Sequence, residues 1–139
     1  MNLDPRGIET MSTVLIDTDI AIDFLRGLPN AKKLIIPLWD RGAAYLSVLS
    51  VYELYAGMRD KEKQETENFV QAFILERVTP EIAVKGGELF RGYRKKGLTI
   101  TAIDCLIGAT ALVNNHKIAT RNITHYPDKN LVFDLKQTS

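Results

Sequence analysis

Three carboxylates stand where apolar runs give way to helical patterns: Asp17, Glu53 and Asp104. Asp17 ends the run Val14-Leu-Ile, and helical spacing begins just after it at Ile20, Ile22, Phe24 and Leu25. A short apolar run that turns helical reads as a buried strand feeding a helix. In an open parallel sheet, ligands bind beyond the carboxyl ends of the strands, where Asp17 would lie. Glu53 is expected in the first turn of the helix after the second strand. It falls opposite the Val51/Leu54/Tyr55/Met58 stripe and so faces a cleft or solvent. Asp104 is expected in the first turn of a helix that is apolar on nearly every side. At about 100° per residue, it shares a side with Gly108 and Ala111, whose small size leaves room for a ligand.

Each acid also has a plainer explanation. Asp17 can cap the helix that follows it. Ser50-x-x-Glu53 is a capping box, and Thr101-x-x-Asp104 is a weaker version of one. Brought together in one cleft, however, ionised carboxylates repel and each loses hydration. A hard divalent cation resolves that conflict. Magnesium and manganese take oxygen ligands, keep several waters, and bind through a few carboxylates plus substrate phosphate. Asp19 can reach the same cleft or serve the helix's first turn. Asp23, one turn further on, reads as an outer residue supporting the others. His116 and His125 show no ligand spacing with each other or with Cys105, and Cys105 reads as a small core residue. Trp39, Tyr52 and Tyr55 read as packing or interface residues rather than base-stacking platforms.

The elements that must position these groups alternate. Strands are expected at 14–16, 44–48, 76–78, 117–120 and 131–133. A helix capped by Asp17 or Thr18 runs to about Gly27. A second covers Ala31–Trp39, either bent at Pro37 or with Pro37 near one end. Ser50 opens a third. The polar stretch from Asp60 to Glu67 coats an exposed helix whose buried end is Phe69, Val70, Phe73 and Ile74. Thr79-Pro80-Glu81 starts a helix that ends in basic residues before Gly97, and Thr101 caps the next, which stops at Asn114-Asn115. Alternating strands and helices imply an α/β fold, a three-layer α/β/α sandwich around a central parallel sheet.

The chain has 139 residues, enough for one domain. Residues 13–135 are expected to form that domain, with 1–12 a disordered or extended N-terminal segment and 136–139 a C-terminal tail. The residues before Met11 read as a loose extension or a start set too early. With 18 basic and 17 acidic residues, the net charge of +1 does not announce a nucleic-acid binder, so any basic surface must be local. The single cysteine excludes an internal disulfide and fits a reducing cytoplasm. No apolar run is long enough to span a membrane.

Four pieces in order resemble the PIN-domain family, and within it the VapC-type ribonuclease toxins. They are Val14-Leu-Ile-Asp-Thr-Asp-Ile-Ala-Ile-Asp-Phe-Leu25, Ser50-Val-Tyr-Glu-Leu-Tyr-Ala-Gly57, Ile103-Asp-Cys-Leu-Ile-Gly-Ala-Thr-Ala-Leu112 and Ala119-Thr-Arg-Asn-Ile-Thr-His-Tyr126. The resemblance spans about Val14 to Phe133. It implies a helix-covered parallel sheet, an acidic pocket for Mg2+ or Mn2+, and hydrolysis of RNA phosphodiester bonds. By position, Asp17, Glu53 and Asp104 would be the catalytic and metal-binding acids. Asn122 would offer a further ligand, and His125 stands where such proteins often carry Asp. Thr18, Thr120 and Arg121 would contact phosphate, and Arg91, Arg94, Lys95 and Lys96 would guide RNA or simply solvate a helix end. The resemblance also implies a homodimer and a VapB-like antitoxin whose tail blocks the cleft, with Tyr52 and Tyr55 available to those surfaces.

Two other readings follow from the same residues. The strand running into Asp17-Thr18-Asp19 also suits a haloacid-dehalogenase-type phosphatase, with Asp17 as nucleophile and Asp19 as acid/base. The Asn122 and His125 departures suit a PIN domain kept as a non-catalytic binding module.

Overall fold

The computed structural model describes residues 12–135. The expected extension before Met11 and the tail at 136–139 lie outside them. Four strands, β1 (Val14–Ile16), β2 (Ala44–Ser47), β3 (Ile74–Glu76) and β4 (Lys117–Ala119), form one all-parallel sheet in the order β3-β2-β1-β4. The helices are α1 (Thr18–Leu25), α2 (Pro29–Asp40), α3 (Val48–Gly57), α4 (Lys63–Gln71), α5 (Pro80–Lys95) and α6 (Ala102–Asn114). The expected three-layer α/β/α sandwich is the observed architecture. Among the described residues, no helix is long and apolar enough to cross a membrane.

β1 is central and buried on both faces, which is why its three residues are all apolar. Val14 and Ile16 point into one core with Ala44, Leu46, Leu34, Ile35 and Phe69. Leu15 points into the other with Ile107, Ala111, Ile118 and Tyr126. α1, α2 and α4 cover the first face and α6 the second. Trp39 packs among Phe24, Phe69 and Phe73 at centroid distances of 5.0–5.9 Å, as a packing residue should. α6 lies between the sheet and α5, and Gly86 lets α5 approach it: a Cβ there would lie 2.7 Å from Leu106 Cδ2. Asn115 ends α6 at φ 60°, a left-handed position that Asn tolerates.

Four boundaries differ from the sequence-based expectation. Ser47, not Ser50, caps α3: its hydroxyl accepts from the Leu49 N–H at 3.0 Å. The two serines are three residues apart and equally suited to the role, and the strand register with β3 ends at Ser47. Glu53 therefore lies in the second turn of α3, and the Ser50-x-x-Glu53 capping box does not form. α2 begins at Pro29 rather than Ala31, with Pro37 near its end at Asp40 as expected. β3 is displaced to 74–76, so Ile74 belongs to the edge strand, half-exposed, rather than to the buried end of α4. The expected strand at 131–133 reduces to one bridge between Val132 and Ile118. A 3-10 turn over Lys129–Leu131 uses the Val132 N–H on Lys129 O, leaving the Phe133 N–H to reach Ile118 O at 2.8 Å.

Because β2 lies inside the sheet, Leu46 should be costly to truncate. Leu46→Ala is expected to lower unfolding free energy by about 2–5 kcal/mol. Leu75→Ala on the exposed edge strand should cost less than about 1.5 kcal/mol. Urea melts of both variants check the contrast.

Candidate active site

Asp17 follows the last residue of β1, and its N–H is held by Ala119 O of β4 at 2.9 Å. That pairing directs its carboxylate over the carboxyl edge of the sheet, where it is 5% exposed. Its Oδ1 accepts from the Thr18 N–H at 2.9 Å, so it does cap α1. Its Oδ2 accepts from the Thr120 hydroxyl at 2.8 Å and from the Tyr126 hydroxyl at 3.1 Å. Capping and cleft roles therefore coincide in one side chain.

Asp104 is reached from the opposite layer. Thr101 Oγ1 accepts from the Asp104 N–H at 3.1 Å and caps α6. The Asp104 carboxylate turns instead to the cleft, with Oδ1 3.4 Å from the Tyr126 hydroxyl and Oδ2 3.1 Å from His125 Nδ1. Glu53 comes from α3, and its Oε1 accepts from the Thr18 hydroxyl at 2.6 Å. Thr18 Oγ1 also lies 3.1 Å from the fully buried Ser50 hydroxyl. Asp17, Asp19, Glu53, Asp104, Asn122 and His125 all line one open cleft of about 490 Å³.

The structure separates some residues that the sequence placed together. Thr120 is fully buried behind Asp17 and is out of reach of a substrate. Arg121 sends its guanidinium away from this cleft onto Asp23, with Nε–Oδ2 at 2.8 Å and Nη2–Oδ1 at 3.1 Å. That pairing holds the Arg121 pKa above its ordinary value. Only the Arg121 backbone N–H faces the acids, donating to Asp19 Oδ2 at 2.8 Å. Asp23 is thus the supporting residue its position suggested. The space beside Gly108 is not free for a ligand, because the rings and methyls of Tyr126 and Leu89 fill it. His116 is buried between Thr13 and Glu76, a structural position. Arg91, Arg94, Lys95 and Lys96 are exposed, and none of them lines the cleft. Tyr126, which touches both aspartates, had no assigned role in the sequence reading. An aromatic residue four positions after Asn122 looks like ordinary core, and only the fold shows where its hydroxyl ends.

The electrostatics point one way. No Lys or Arg is among the described residues lining the cleft. Burial raises the Asp17 pKa from 3.8 to about 6, and Asp19 adds to the rise, while Thr120, the Thr18 N–H and Tyr126 oppose it. Four carboxylates thus share a cleft with only neutral donors and one histidine. Among the described residues, no three His, Cys, Asp or Glu side chains converge closely enough to hold an ion by themselves. A cation at this cleft would therefore be held through one or two carboxylates and completed by waters and phosphate oxygens. The donor set, all oxygen around Asp17, fits Mg2+ or Mn2+ better than a softer metal.

Residues 14–126 match the PIN domain family. The chain belongs to that family. It is 42% identical over 114 residues to ribonuclease VapC19 of Mycobacterium tuberculosis, covering 81% of this chain and 91% of that protein. It is 35% identical to ribonuclease VapC10 of the same organism, covering 82% and 86%. The fold is similar to a chain of a toxin–antitoxin complex from Klebsiella pneumoniae, with a TM-score of 0.76, 23% identity, and 88% and 97% of the two chains covered. In a PIN domain, the strand-to-Asp-x-Asp pattern does not make a phosphatase.

The raised Asp17 pKa gives a signed pH dependence. Without metal, the folded chain holds this proton more tightly than the unfolded chain between about pH 4 and 6. The associated stability is full below about pH 4 and is lost as pH rises through about 6. A two-unit shift corresponds to roughly 3 kcal/mol. Urea melts in EDTA should therefore show wild type losing about 2–3 kcal/mol relative to Asp17→Asn between pH 4 and pH 7. A stability difference that is flat over this range contradicts the shift.

Proposed function

We propose that this chain is a Mg2+- or Mn2+-dependent endoribonuclease, the toxin of a VapBC-type toxin–antitoxin pair. The observation that carries the reading is the cleft itself: four carboxylates on three elements with no lining cation. Its support is membership of the PIN family together with 42% identity to a protein named a ribonuclease.

In this reading Asp17, Glu53 and Asp104 serve the ion, one or two of them directly and the rest through its waters, and Asn122 lies on the same cleft to assist. The ion, when bound, supplies a Lewis acid that neutralises phosphate charge and makes bound water acidic enough to attack phosphorus. The remaining work falls to the chain's own side chains. Thr120 and the Thr18 N–H fix the Asp17 carboxylate by donating to its two oxygens. Thr18 fixes Glu53 through its hydroxyl, so it acts by positioning that acid, and it lines the cleft where an RNA phosphate would enter. Uncompensated negative charge repels an RNA backbone until a cation is present, which ties substrate binding to metal loading.

The partners proposed are RNA as substrate, a VapB-like antitoxin that closes the cleft, and a second copy of the chain. The exposed Tyr52 and Tyr55 on α3 are available to the protein partners. The cytoplasm is the compartment where RNA and antitoxin would both be met. The alternative is an inert binding module, favoured by His125 standing against Asp104.

Incubation of purified protein with a mixed RNA substrate and Mn2+ should give cleavage products that EDTA abolishes. Asp104→Asn should slow cleavage by roughly 100-fold or more, beyond the range typical of outer-sphere changes. Expression of wild type should arrest growth, and Asp104→Asn should relieve the arrest. Soluble wild-type protein that neither binds Mn2+ nor cuts RNA establishes the inert module instead.

A further inference from the structure

Tyr126 is 3% exposed, and its ring lies beside Gly108 in the second core with Ile107 and Leu131. From there its hydroxyl reaches Asp17 Oδ2 at 3.1 Å and Asp104 Oδ1 at 3.4 Å. These two carboxylates stand on different layers, one at the end of β1 and one on α6. Among the described residues, Tyr126 is the side chain hydrogen-bonded to both. A phenol has one proton to donate, shared here between Asp17 Oδ2, the nearer acceptor, and Asp104 Oδ1.

The lone pairs show what that contact does. Asp17 Oδ2 accepts from both Thr120 and Tyr126, which uses its two lone pairs. Oδ1 accepts from the Thr18 N–H and keeps capacity for a further partner. A neutral donor between two anions also lets them approach without cancelling their charge. Phe at this position would fill the same space and supply neither effect.

We propose that Tyr126 is a positioning residue that holds Asp17 and Asp104 at a common spacing and selects which Asp17 oxygen is offered to the divalent cation. The inference rests on the metal-dependent reading of the cleft. It concerns a side chain outside the expected ligand set, acting through two acids rather than on substrate.

The test is calorimetric titration of Mn2+ into the full chain as wild type, Tyr126→Phe and the surface control Tyr52→Phe, with thermal melts in EDTA. Tyr126→Phe should bind Mn2+ about tenfold more weakly, while Tyr52→Phe binds as wild type does. In RNA cleavage, the half-saturating Mn2+ concentration should rise by the same factor, and the rate at saturating Mn2+ should stay within about twofold of wild type. A merely structural role would lower the melting temperature without shifting the metal constant. Wild-type affinity in a folded Tyr126→Phe overturns the inference and leaves the nuclease reading intact. A fall in the saturated rate with unchanged affinity overturns it too. Absence of Mn2+ binding in wild type overturns both. If Tyr126→Phe does not fold, the wild-type tyrosine difference spectrum on adding Mn2+ decides. A perturbed buried tyrosine supports the contact, and an unchanged spectrum refutes it.

Discussion

Unneutralised negative charge at the carboxyl edge of the sheet is the constraint on which the rest of this structure depends. Asp17 is buried beside Asp19, and Asp104 and Glu53 line the same cleft. Ionised carboxylates in such a place repel one another and have surrendered hydration. A protein can offset that with Lys or Arg. Here the contacts to Asp17 are an N–H and two hydroxyls, all neutral. They hold geometry without cancelling charge, so the cleft stays negative.

The handling of Arg121 belongs to the same design. Its guanidinium would neutralise the cleft if it turned inward. Asp23, one helical turn beyond Asp19, binds it in a two-pronged pair further along the same face of α1. The backbone N–H of the same residue remains to tie Asp19 to the loop after β4. One residue thus braces the loop without spending its charge on the acids.

The fold delivers these groups because parallel strands all end on one side. Asp17 follows β1, α3 follows β2, and Thr120 follows β4, so three chain segments arrive together. α6 adds Asp104 from the covering layer. Membership of the PIN domain family accounts for the order of these pieces along the chain. The packing explains their precision, since β1 and Tyr126 are both locked into apolar cores before their polar ends meet.

What the sequence by itself determined is the alternation of strands and helices, the parallel sheet, and the three acids worth attention. Apolar runs ending in a carboxylate and helix caps such as Thr79-Pro80 and Thr101 are local signals, legible without partners. What only the tertiary structure decided depends on contacts between distant segments. Two equivalent serines could cap α3, and the register with β3 settled on Ser47. The gap beside Gly108 looked open until Tyr126 filled it. Thr120 and Arg121 carry groups fit for phosphate, yet burial and Asp23 claim them first. A residue type states what a side chain can bind. Which partner it meets is set by the packing of elements a hundred residues apart in the chain, as with Thr120 and Asp17.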